Sequence, residues 1–277
     1  MINTHFKNSL ASLGYLDMEL AYSLGYCQGD GMAWYGELSR ESLAILIPRL
    51  LGELTSDNEV EKMIGVLRDY RRYEKIEITR NCHHYCHENT MTLDSTVEFR
   101  GLIDEDDEQA MSAADVTPEL LARWDELWEL FISKLQQDMR AVSLKLRDEG
   151  YALIESTSRE NESVWKFATE NFTVELHEQV IDFSDLAVEF AWLEEDVQSS
   201  TIQAMLRGEQ RCVNLKLEVK SSSQDWPMGS ATAFCQFVEP NDRTYGGIRR
   251  QLAQEAIAEA RQGISEIMSA FNSIKAA

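Results

Sequence analysis

From Leu121 to Leu146 eight apolar residues, Leu121, Trp124, Trp128, Ile132, Leu135, Met139, Val142 and Leu146, follow one another at steps of 3, 4, 4, 3, 4, 3 and 4. A stripe with that spacing stays on one side of an α-helix, so this stretch cannot sit in a sheet. Thr117 supplies an N-cap oxygen, Pro118 suits the first helical position, and Gly150 is the expected stop. A seam of about seven turns is covered either by the chain's own core or by a second chain. For the second case the contact residues are Leu121, Trp124, Trp128, Ile132 and Leu135.

The rest of the chain mixes strands and helices. Residues 18–38 alternate around a Gly29-Asp30-Gly31 turn, which predicts a hairpin. Helices follow at about 39–51, with Pro48 as a kink or stop, and at 57–70. Residues 73–82 and 90–100 alternate again as strands. Residues 151–157 read as a strand, 159–171 as a short helix and 172–183 as extended. Strands are expected at 186–193, 211–220 and 231–238, with a turn-rich loop at 221–230. A final helix spans about 243–274, with Ile248, Leu252, Ile257, Ile264, Ile267, Phe271 and Ile274 as its apolar set. Without regular β-α alternation this is an α+β chain: antiparallel sheet(s) with a long central helix and a long C-terminal helix. The expected organisation is an N-terminal α+β region (1–103), an acidic linker (104–117) and a region of helix plus C-terminal α+β (118–277). No internal sequence repeat is seen.

The net charge of −22 is unevenly spread: residues 101–200 hold 25 acids against 7 bases. Such a surface repels nucleic acid backbones and favours basic protein partners. With 44% hydrophobic residues the chain can build a core. No run of about 18–20 apolar residues is present for a membrane helix. The first twenty residues lack a signal-peptide layout, and five cysteines, an odd number, fit free thiols in a reducing cytoplasm.

Three clusters carry candidate chemistry. The Gln28-Gly29-Asp30-Gly31 turn is too short for a dinucleotide loop and lacks the Gly-Lys-Ser/Thr of a P-loop. It reads as a structural turn, with Gln28 and Asp30 as contact residues at its tip. The Cys82–Glu88 run is rich in ligands. On a strand Cys82, His84 and Cys86 share a face, and Cys27 could complete a zinc tetrahedron, but three ligands on one face leave the site one short. No metal and no cofactor is expected. A second acidic stretch, Asp182, Asp185, Glu189, Glu194, Glu195 and Asp196, alternates with apolar residues and is a candidate surface for a basic partner.

The turn carries more. Tyr26, Gln28, Gly29, Asp30 and Gly31, with the block Tyr85, His87, Glu88, Asn89, Thr90 and Met91, resemble two marks of a group of tailed-bacteriophage and prophage proteins. Cys86 fills the variable slot of the second block, and residues 124–170 are comparable to a third, Trp-containing one. The resemblance spans roughly residues 18–175. It departs at Met32-Ala33-Trp34, where the group has a small residue and Phe, and at the Cys82/Cys86 pair. It implies a phage or mobile-element origin and no reaction.

The expected function is therefore non-enzymatic: a phage protein in the host cytoplasm that inhibits a host defence complex by acidic protein–protein contact, in the place nucleic acid would occupy. It binds no nucleic acid directly, does not enter a membrane and forms a homodimer. The alternatives are a metal-dependent hydrolase or nuclease using the Cys82–His87 cluster, and a structural or accessory phage protein.

Overall fold

The computed structural model describes residues 2–27, 29–69, 75–80, 91–102, 116–181 and 194–276. They form two compact units, Asn3–Gly150 and, in the main, Tyr151–Ala277. The class is α+β, as the mixed periodicities require.

In the first unit α1 (Ile2–Ser12) precedes a hairpin of β1 (Glu19–Ser23) and β2 (Gly31–Glu37). Two helices follow, α2 (Arg40–Leu51) and α3 (Asp57–Asp69). Then come β3 (Ile76–Arg80), β4 (Met91–Ser95) and the long α4 (Pro118–Glu155). The strands form one antiparallel sheet in the order β1-β2-β3-β4. Ser39 caps α2 by accepting from the Ser42 N–H at 3.1 Å. Pro48 lies inside α2 and does not break it. The Leu50 carbonyl, one of those left without a partner at the helix end, accepts from Lys134 Nζ at 2.8 Å.

The seam of α4 turns inward. Leu121, Trp124, Trp128 and Leu135 are all buried, and Ile132 is half-buried. Phe99 stands edge-on to both Trp124 and Trp128. Four of the five residues expected to meet a second chain therefore belong to the core of their own unit, and Ile132 stands at its margin. The helix also runs past Gly150, because a glycine inside a helix costs only about 1 kcal/mol and close packing offsets it. A side chain at Gly150 would meet Leu24 and Phe6, at 2.6 and 3.1 Å. The division between units falls inside the last turns of α4, not at a linker over 104–117; residues 103–115 lie outside the described residues.

The second unit contains β5 (Glu162–Ala168), β6 (Phe172–Gln179), α5 (Glu195–Leu206), β7 (Arg211–Ser221), β8 (Pro227–Val238) and α6 (Gly246–Ala276). Residues 151–155 are helical and 162–168 form a strand, the reverse of the expectation for this stretch. The sheet order is β5-β6-β7-β8, antiparallel throughout. Each unit thus sets a four-stranded antiparallel sheet beside a long helix, although their sequences show no repeat.

In this second sheet one face is apolar. Val174, Leu176, Leu215, Leu217 and Val219 pack there with Leu252 and Ala256 of α6. The other face is a mosaic of both signs. Glu218 accepts from Lys216 and Lys220 at 2.6 and 3.1 Å, and Glu175 lies 3.7 Å from Lys166.

Candidate functional site

Two hairpin ends lie side by side at one edge of the second sheet. The β5–β6 turn closes when Thr169 N–H donates to the Phe172 carbonyl at 2.7 Å and Phe172 N–H donates to Thr169 Oγ1 at 3.0 Å. The β7–β8 connection closes through Ser221 N–H to the Trp226 carbonyl at 2.9 Å, with Asp225 at φ 53°. Ser222 N–H ties the two turns together by donating to the Asn171 carbonyl at 2.9 Å. This scaffold raises Phe172 and Trp226 to the surface, and Pro227 stiffens the backbone behind the indole. Trp226 is 66% exposed.

α6 reaches the same edge because Gly229 lets it. A Cβ at Gly229 would stand 2.3 Å from the Ala256 carbonyl oxygen and 2.7 Å from the Ala260 nitrogen. Ala256 and Ala260 complete the small-residue contact on the helix side. The helix then continues beyond the packed sheet, and Ile267, Met268, Phe271 and Ile274 are exposed. Phe172, Trp226, Met228 and Ile267 form the apolar part of an open groove of about 510 Å³, whose remaining lining, Glu170, Asn171, Ser221, Ser223 and Gln224, is polar. An apolar ledge of this kind, carrying Trp, Phe and Met, has the composition of protein contact surfaces.

A second cluster, around Glu178, is closed. Glu178 is 3% exposed. Arg211 donates to both its oxygens at 2.8 Å, Ser158 Oγ at 3.0 Å and Arg243 at 2.7 Å, and the Tyr245 hydroxyl donates as well. Burial by itself would raise this carboxyl's pKa. The Arg211 pair and the further donors outweigh it and hold the pKa below the ordinary glutamate value. Every lone-pair direction is occupied, so the group has no capacity left for a substrate. It is a clasp between the sheet and the start of α6.

The residues nominated from sequence fall into three groups. Asp30 does not project: it is 9% exposed and turned into its loop. It accepts from Ser23 Oγ at 2.9 Å, Cys27 N–H at 3.0 Å and the Cys27 thiol at 3.1 Å. Its role is to hold the hairpin loop, in which Tyr26 takes φ 58°. Glu194 and Asp196 are exposed at the start of α5, and Glu195 lies in its first turn. Gln28, Asp182, Asp185 and Glu189, and the ligand candidates Cys82, His84 and Cys86, lie outside the described residues. Among the described residues no group of three or more His, Cys, Asp or Glu could hold a metal ion, and no helix is long and apolar enough to cross a membrane.

Sequence reasoning passed over Phe172, Trp226 and Met228. The available signal was a tryptophan beside a proline in the otherwise polar loop 221–230. No family model, curated protein or solved structure matches the chain.

Proposed function

We propose that this chain is a non-catalytic protein-binding module. Following the resemblance of residues 18–175, its specific role is that of a phage- or prophage-encoded inhibitor of a host defence complex. The observation that carries the reading is the apolar ledge: Trp226, 66% exposed beside Phe172, Met228 and Ile267, on a scaffold of closed turns. Large aromatic anchors on rigid elements supply most of the energy in protein contacts. Exposed acidic residues of the same unit, such as Glu194 and Asp196, supply steering toward a basic partner.

The test is capture from host lysate with the intact tagged chain, the Trp226→Ala variant and a Glu194→Lys/Asp196→Lys double variant. The expected result is retention of components of a nucleic-acid-binding defence complex. Trp226→Ala should lose them, and the double charge variant should bind more slowly. An equal yield of the same proteins with Trp226→Ala overturns the reading, as does capture of nothing above background.

A further inference from the structure

We propose that the groove beside Trp226 takes an arginine side chain of a protein partner, its guanidinium stacked on the indole and paired with Glu170. The inference rests on the protein-binding reading of the ledge and names the residue that the ledge receives.

Glu170 stands in the β5–β6 turn, and Trp226 closes the β7–β8 connection. Hydrogen bonds between the two ends hold one against the other. Besides the Ser222 N–H bond to Asn171, Ser222 Oγ donates to the Thr169 carbonyl at 3.3 Å. Both side chains line the same groove. Glu170 is exposed, and among the described residues no cation pairs with it. Trp226 is equally open, and among the described residues no arginine or lysine lies over its ring.

The same unit already contains the contact in question. Arg249 of α6 places its guanidinium carbon 5.0 Å from the centre of the Trp165 ring. Trp165 in turn stacks on Phe167, with centroids 6.3 Å apart. Trp226 offers a second indole, with a carboxylate beside it.

The chemistry of the lining selects arginine. An ion pair at an exposed carboxylate is weak alone, and so is a cation over an exposed ring. A planar guanidinium makes both contacts at once. The ammonium of lysine is a compact, strongly hydrated point charge and suits a ring less well. The amide oxygens of Asn171 and Gln224 can accept from the N–H groups that Glu170 leaves over. Met228 and Ile267 give apolar cover to the arginine stem. An acidic side chain would meet Glu170 in a groove whose lining holds no cation.

The probe is the capped peptide acetyl-Gly-Leu-Arg-Leu-Gly-amide, with a twin in which citrulline replaces the arginine. Citrulline keeps the shape of the side chain and removes its charge. Binding to the intact chain is followed on the indole N–H resonance of Trp226. That signal, one of six tryptophans, is identified by its loss in Trp226→Phe. The arginine peptide should bind about 10-fold more tightly than its twin. Glu170→Gln should weaken the arginine peptide by about the same factor and leave the citrulline peptide unchanged. Trp226→Ala should weaken both peptides. Glu170 and Trp226 are exposed, so these variants should keep the wild-type melting curve. Equal affinity of the wild type for the two peptides overturns the proposal. So does a preference for arginine that survives Glu170→Gln, or no shift of the Trp226 signal at about 10 mM peptide. Lysate capture that needs Trp226 but ignores Glu170→Gln removes the arginine and leaves the binding reading intact. An arginine preference in a chain that captures nothing does the reverse.

Discussion

At the scale of single residues, Glu178 shows how much one carboxylate can organise. It lies 33 residues from Arg211 and 65 from Arg243 in the chain, and folding brings them to within 2.8 Å. Removing one partner of a buried pair leaves the other charge uncompensated. Glu178→Ala should therefore lower stability by about 3–5 kcal/mol, read by urea unfolding. The pH dependence has a definite sign. The folded pKa is depressed, so the stabilisation is full above the ordinary carboxylate value of about 4.3 and is lost as pH falls through the folded value. The stability difference between the wild type and Glu178→Ala should be constant near neutrality and narrow below about pH 4. A difference that does not change with pH would contradict the clasp. Asp30 is the second instructive residue. An acid in a Gly-Asp-Gly turn reads equally as a projecting contact or an internal acceptor. Only the positions of Ser23 and Cys27 in the folded loop decide for the acceptor.

At the scale of elements, two glycines make opposite predictions. Gly229 is where α6 touches β8, and a Cβ there would strike backbone atoms that no rotamer change can move. Gly229→Ala should cost about 1–3 kcal/mol, because the helix must shift outward and its contacts with the sheet loosen. Gly65 lies in the interior of α3, and a Cβ there would have nothing within 4 Å. Gly65→Ala should raise stability by about 0.5–1 kcal/mol through helix propensity alone. Thermal melting of the two variants checks both signs. The elements also show where periodicity works and where it fails. α4 and α6 were legible because a 3.6-residue stripe is a local property of the sequence. β5 was not: its half-exposed residues Val164 and Trp165 sit next to each other at a register shift against β6, so no alternation marks it as a strand. Its pairing with β6 determines its state.

At the scale of the whole molecule, the proposed contact with a basic partner should respond to salt. Contact between an acidic surface and a basic partner weakens as exposed charges are screened beyond about 8–10 Å. Capture of the partner across a salt series measures this, and the yield should fall as salt rises in a chain of net charge −22. A yield that is the same from low to high salt would mean that the charge plays no part in the contact.

The sequence by itself determined the α+β class, the two long helices, the first hairpin and the acidic composition of residues 101–200, because each depends on residue type and local spacing. It could not decide which way α4 faces. The stripe Leu121–Leu146 is the same whether a second chain covers it or Phe99 and the rest of its own unit do. It could not separate the covered part of α6 from the exposed part, since both are apolar at helical spacing. Tertiary structure decided both. Burial depends on where the sheet ends and how closely Gly229 admits the helix, and those are properties of the packed chain that no local pattern encodes.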